Sequence, residues 1–538
     1  MKTHADSAMT RFALHHLHQG ASRRHVMKML LASGAGLAGS TLVLGTATRA
    51  RAAIPKSGGH LRVGIRAGST SDSLNPATFT NGFIRTVAYG MCNGLFEIRA
   101  DNSLGGELIE SWEAKPGAAE WVFKVRQGVE FHNGKALSAD DIIASINHHR
   151  GEDTISGLKG PLSSIAEIRK QDDFTIAVTL QAGNADFPFV FTDYRLVVMP
   201  ASADGTLDWK AQVGTGGYVL KSLEPGVSAE MERFPGYWRQ GQAHVESARI
   251  LVVPDAGTQQ TALLTGELDV IDQVDFKSLN LLKASPTIKV IDTVGARHFT
   301  FPMNTQAEPF ANNDLRLALK HGIDREAMLK TVLRGYGTLG NDHPVAPSQQ
   351  FFAADIEQRA YDPDKATFHL KKAGHDAISL SLSVSDSLYP GAVDGAVLYK
   401  EKLDPIGIDL EVLREPGDGY FSNVWMKKPF VASFWGARPT ADLILSTAYM
   451  SGAPWNDSFL DNERLTGLIT GARSEIDEAK RAEMYREIQM ILRDEGGTVI
   501  PIFANNVFAV SDKIGHPEAV AGNWELDGGR LLDRWWFA

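Results

Sequence analysis

The sequence predicts an α/β protein. Short runs of alternating or β-branched residues recur along the chain, and amphipathic stretches of helical period separate them. Composition agrees with a folded soluble protein: 43% of residues are hydrophobic and 22% charged, ordinary values for a globular chain.

The elements follow in order. "LRVGIRA" (61–67), "WVFKVR" (121–126) and "FTIAVTLQ" (174–181) alternate as strands do. "ARILVVP" (248–254) is a continuous apolar run, the pattern of a strand buried on both faces. Further strands are expected at 298–304, 378–385, 430–436 and 498–505. One helical run, 314–335, places Leu315, Leu319, Ile323, Met328 and Val332 on one face and closes on Gly335. A second, 364–374, stops at Gly374, and a third, 475–497, carries Met484, Ile488 and Ile491 before Gly496-Gly497. No internal repeat, coiled coil or low-complexity tail interrupts this alternation.

The first 52 residues read differently. Arg23 and Arg24 precede an uncharged stretch from Met29 to Ala47, which ends in Ala50-Arg51-Ala52. Paired arginines before a mildly apolar core are the twin-arginine export pattern, and small residues close the stretch as a signal peptidase requires. The expectation is a leader, 1–52, cleaved near Ala52, and a periplasmic mature protein exported by the twin-arginine machinery. Removing the leader takes the formal charge from −10 to about −16. So acidic a protein is a poor partner for nucleic acid. The single cysteine, Cys92, lies in an apolar stretch and permits no internal disulfide; it reads as a buried core residue.

Chemistry-bearing motifs are few. There is no G-x-S-x-G, no H-E-x-x-H and no P-loop, so an enzyme is not expected; an exported hydrolase is the remote alternative. His132 lacks a second histidine at ligand spacing, and the adjacent His148 and His149 point in different directions on a helix, so neither a metal nor another cofactor is expected.

The stretch "WVFKVRQGVEFHNGKALSADDI" (121–142) reads as strand, turn at Gly128, second short strand, turn at Asn133-Gly134 and a helix capped by Ser138 with Asp141. It closely resembles the signature of the large solute-binding proteins of peptide and nickel ABC importers, solute-binding protein family 5, roughly W-x-F-x-L-R-x-G-V-x-F-H-D-G-x-x-x-x-A-x-D-V. Further blocks resemble that family in the same order: "VGTGGYVL" (213–220) with "ERFPGYW" (232–238), "FPMNTQAEPFANNDLRLALKHGIDREAML" (301–329), "YDPDKATFHLKKAG" (361–374) and "YREIQMILRDEGGTVIPIF" (485–503).

The resemblance implies a two-lobed periplasmic-binding-protein type II fold with a hinge between lobes and an additional inserted domain. Lobe I comprises 53–96, 213–300 and 506–538; the inserted domain is 97–212; lobe II is 301–505. It further implies a monomeric receptor that captures short peptides or related amino-acid derivatives as the lobes close and delivers them to an ABC importer permease.

In the family's peptide binders a strand end typically reads W-x-x-D, with the tryptophan lining the cleft and the aspartate holding the peptide's amino group. Here Trp435 is kept, but Arg438 stands at the aspartate position. Arg438 is expected either to clamp a carboxylate or phosphate, or to pair with Asp442 one turn on; Asp442 is the alternative partner for an amine. Trp425 is a further cleft candidate, as is the Trp455-Asn456-Asp457 cluster. From the first loop Asp72, Thr80 and Asn81 are candidates for hydrogen bonds to cargo. The alternative cargo is an opine-like or other anionic solute, which suits Arg438 better than an amine does.

Overall fold

Two long strands organise the molecule. Ile288–Pro302 and Ile502–Ser511 run antiparallel, from Ile288 opposite Ser511 to His298 opposite Phe503. They belong to a ten-stranded mixed sheet whose path runs Ser433–Trp435, Ile288–Pro302, Ile502–Ser511, Val270–Ile271, His60–Ile65, Ser247–Val252, Ser228–Arg233 and Tyr218–Glu224, with Gly337–Leu339 and Thr498–Val499 paired to the two long strands off that path. Their register shifts between Thr293 and Arg297, a bulge that bends the ladder locally. Gly295 is required there, because a Cβ would lie 2.5 Å from the carbonyl oxygen of Ala504.

The computed structural model describes residues 55–538. Lys56–Phe537 form one compact unit; Arg23, Arg24 and the expected cleavage site near Ala52 lie outside the described residues.

Packing falls into distinct cores. One gathers Leu61, Val63, Phe83, Ile250, Phe508 and Trp535 around the parallel pair His60–Ile65 and Ser247–Val252. A second, between Leu95 and Val198, lies on a four-stranded antiparallel sheet in the order Ile109–Ala114, Glu120–Val125, Thr175–Leu180, Ile165–Asp172. Phe96, Phe123, Phe187 and Phe191 meet edge-on and stacked in it. A third runs from Phe299 to Ala504 and includes the parallel pair Ile378–Val384 and Ile408–Arg414, linked by the helix Ala392–Leu403. A fourth joins Trp435, Tyr449, Tyr485 and Ile488 beneath the helices Ala441–Ala448, Glu463–Ser474 and Glu478–Glu495.

Local sequence explains the boundaries. Ser138 and Asp141 form the expected reciprocal capping box on Ala139–Asn147. The expected single run 314–335 is two helices, Asn313–His321 and Arg325–Val332. Gly322 ends the first, and the Asp324 carboxylate restarts the chain by accepting from Ala327 N. The strand over 248–254 is not buried on both faces: Arg249 is exposed on Ser247–Val252 and pairs with Glu230. The second short strand after Gly128 reduces to one bridge, Glu130 to Ala136, and Pro501 divides 498–505 into Thr498–Val499 and Ile502–Ser511. Cys92 is buried and free, as expected. His132 bonds the Gly216 carbonyl at 2.9 Å, while His148 and His149 bond different partners, Asn75 and Ser156.

Candidate functional site

The strand Ser433–Trp435 is the edge of the large sheet, and the chain leaves it through Gly436-Ala437-Arg438-Pro439. Thr440 then caps the helix Ala441–Ala448, its hydroxyl accepting from Leu443 N at 3.2 Å. This strand-to-helix turn is one wall of a cavity of about 550 Å³. The helix contributes Leu443 and Thr447, one turn apart. Residues from distant stretches also line it, among them Tyr194 and Arg195, Ser348 with Gln349, and Gly522 to Trp524. Strand ends that open on a crevice are where α/β proteins take ligands.

Three charged residues line the cavity: Asp193, Arg195 and Arg438. The first two neutralise each other at 3.1 Å, and the Arg195 guanidinium rests 4.5 Å from the Tyr194 ring centre. Among the described residues, no carboxylate bonds to Arg438. Its guanidinium reaches only the carbonyls of Gly436 and Ala437 in its own turn, at 3.4 and 3.3 Å. Burial lowers its pKa, with no opposing anion to restore it. The turn itself is held: Gln349 Nε2 donates to the Arg438 carbonyl at 2.8 Å, while Gln349 Oε1 accepts from Ala346 N at 2.8 Å.

Asp442 does not form the expected pair in this structure. It does not pair with Arg438; its carboxylate accepts from Arg473 Nε at 3.0 and 3.1 Å. Burial pushes it up to about 6. It is therefore engaged, and it is not among the cavity-lining residues.

The tryptophans do come together. Trp425, Trp435 and Trp455 form a chain with ring centres 6.3 and 6.1 Å apart. Trp455 is 47% exposed and lines the cavity; Trp435 is buried behind it. Trp425 Nε1 donates to Asp457 at 3.1 Å. Asp457 is buried, and burial pushes its carboxyl up to about 7. Asn456 serves its own loop, donating to the Leu460 carbonyl at 2.8 Å.

The first loop is a self-satisfied turn. Asp72 accepts from Ser69 N at 2.8 Å and from Asn81 Nδ2 at 2.7 Å. Asn81 in turn caps the helix Gly82–Met91 by accepting from Ile84 N. Thr80 is exposed. None of the three lines this cavity.

Sequence reasoning missed the opposite wall. Tyr194 and Trp524 meet edge to face at 6.0 Å, and Arg85 holds Trp524 from behind at 4.7 Å while pairing with Glu525 at 2.9 Å. No local pattern marks these residues, since they meet only through the fold.

Residues 103–457 match the family model described as bacterial extracellular solute-binding proteins, family 5 Middle. A glutathione-binding protein, GsiB, of Pectobacterium atrosepticum is 25% identical over 445 residues, 79% of this chain and 85% of that protein. HbpA2 from Haemophilus parasuis superposes with a TM-score of 0.78 at 20% identity, over 87% of this chain and 99% of its own. AgaA from A. tumefaciens R10, solved with agropinic acid, gives 0.69 at 22% identity, over 89% and 99%. The type II periplasmic-binding fold expected from the sequence is thus the fold of the structure. No helix among the described residues is long and apolar enough to cross a membrane.

Proposed function

Because the chain belongs to the bacterial extracellular solute-binding proteins of family 5, we propose that it captures short peptides or related amino-acid derivatives by a carboxylate and delivers them to an ABC importer permease. The observation that carries this reading is Arg438: a partly buried guanidinium at a cavity wall, with no carboxylate bonded to it among the described residues. A desolvated cation without a counter-ion is costly. A ligand carboxylate would remove that cost and accept two parallel hydrogen bonds. Trp455 on one side and the Tyr194–Trp524 pair on the other would cover the ligand's apolar part.

In this reading the lobes are 53–96 with 213–300 and 506–538, and 301–505, with 97–212 inserted. The register shift between Thr293 and Arg297 is then the natural hinge on the long strand pair. Asp72, Thr80 and Asn81 shape lobe I rather than hold cargo, and Asp442 and Asn456 support the wall. The chain acts as a receptor, not an enzyme, and works as a monomer in the periplasm after twin-arginine export and cleavage near Ala52. A second reading, a non-peptide anionic solute such as an opine, is favoured by the engagement of Asp442 with Arg473, which takes that carboxylate away from a ligand amine.

The test is native mass spectrometry of the mature protein taken gently from the periplasm, with release and identification of what is bound. Carboxylate-bearing peptides support the first reading and a single non-peptide acid the second. A cationic or uncharged solute refutes the carboxylate clamp.

A further inference from the structure

The cavity that Arg438 lines is apolar over much of its remaining wall. Ile98, Leu158, Phe189 and Val190 line it from the segment 97–212, and Leu443 lines it from the helix Ala441–Ala448. Leu158 and Val190 pack on the core of their own segment. Ile98, Phe189 and Leu443 do not: among the described residues they belong to none of the apolar cores. Ile98 is nevertheless buried, and Phe189 and Leu443 are half-buried. Their apolar surface is turned to the cavity instead.

Local geometry puts them there. Phe187–Val190 is a single helical turn. Phe187 and Phe191, four residues apart, share one side and are fully buried in the core. Phe189 falls between them and leaves the turn on another side, where it lines the cavity. Leu443 is the third residue of its helix, and Thr440 caps its amide. Helical side chains lean towards the N-terminus of their helix, so Leu443 leans over the turn that carries Arg438 and Pro439. Thr447, one turn further on, donates its hydroxyl to the Leu443 carbonyl at 2.5 Å, so its proton is already committed.

Charge is scarce by comparison. Asp193 and Arg195 hold each other, which leaves Arg438 as the one charged lining side chain that no opposite charge meets among the described residues. At about 550 Å³ the cavity is of the size that encloses a small ligand. Water filling it would lie against Ile98, Phe189 and Leu443, at a cost that an apolar ligand group removes.

We propose that the site selects small carboxylic acids by a bulky apolar group next to the carboxylate. In peptides this is a C-terminal leucine, isoleucine, methionine or phenylalanine. The carboxylate meets Arg438, and the side chain enters the part of the cavity that Leu443, Ile98 and Phe189 line. The proposal rests on Arg438 as the carboxylate clamp and specifies which carboxylates it takes. A polar side chain at that position gives up its hydration and finds no partner in return.

The experiment is calorimetric titration of the mature protein with three peptides: Ala-Ala-Leu, Ala-Ala-Asn and the C-terminal amide of Ala-Ala-Leu. Leucine and asparagine side chains have nearly the same shape, so the first two differ in polarity alone. Ala-Ala-Leu is expected to bind about 10- to 100-fold more tightly than Ala-Ala-Asn, the weight of burying one such side chain, and more tightly than its amide. Leu443→Asn and Phe189→Asn are each expected to lower the preference for leucine by about tenfold. Their thermal midpoints are expected to stay close to the wild type, because both residues lie outside the cores. Equal affinity for the leucine and asparagine peptides overturns the apolar selection, and a weaker amide in that case still leaves Arg438 as the clamp. An amide that binds as well as the acid sinks the clamp, while a kept preference for leucine supports the apolar selection on its own. A preference undiminished in both variants overturns the assignment to these residues, and binding of none of the three peptides overturns the proposal.

Discussion

Asp457→Asn should abolish a pH dependence of stability that originates beside the tryptophan chain. Asp457 is buried, is bonded to Trp425 Nε1 at 3.1 Å, and is raised by burial to about 7 from an ordinary 3.8. An acid raised in the folded state holds its proton there while the unfolded chain has lost it. Its contribution is complete below pH 3.8 and is lost as pH rises through about 7. Each pH unit between those values costs about 1.4 kcal/mol, so the whole window costs about 4 kcal/mol at most. The asparagine is nearly isosteric, its amide oxygen still accepts from Trp425, and it has no charge to desolvate. Urea unfolding of both proteins from pH 4 to 9 gives the difference directly. Relative to the wild type, the variant should gain stability steadily with pH and level off above about pH 8, by about 2–4 kcal/mol. An offset added to that slope at every pH would report the packing of the amide. A difference that stays flat across the range would refute the reasoning, because it would mean that Asp457 ionises in the fold as it does in water.

Three further outcomes are expected. Asp186 and Arg481, both buried, pair at 2.8 Å between the segment 97–212 and the helix Glu478–Glu495; Asp186→Ala should cost about 3 kcal/mol in denaturant unfolding, and adding Arg481→Met should recover much of it. Gln349→Ala frees the Arg438 turn, so affinity for the co-purified solute should fall about tenfold, the weight of one hydrogen bond, with the unfolding midpoint nearly unchanged; unaltered affinity would show that the turn holds without it. Arg23→Lys with Arg24→Lys should leave an uncleaved precursor in the cytoplasm, read by immunoblot of cell fractions; normal cleavage would contradict twin-arginine export.

The fold was legible where local physics decides. The capping box of Ser138 and Asp141, the Gly374 stop and the alternation at 61–67 and 121–126 all rest on near neighbours in sequence. The break at Gly322 was not, because the apolar stripe runs on through it while Asp324 recaps the chain. The same division holds in the site. Trp435, Arg438 and Trp455 stand within one short stretch and could be read together. That Asp442 turns to Arg473 depends on a helix that comes back from thirty-one residues further on. Tyr194 and Trp524 carry no local mark at all. They matter because a sheet brings residues hundreds of positions apart to one cleft, and a pattern of period two or 3.6 says nothing about such meetings.

The central claim is that Arg438 clamps a ligand carboxylate, and a crystal structure of the mature protein with its co-purified solute tests it most directly. The account predicts a carboxylate within hydrogen-bond reach of the Arg438 guanidinium, between Trp455 and the Tyr194–Trp524 pair. A solute seated elsewhere, or one that presents an amine to this wall with Arg438 turned away, would contradict it.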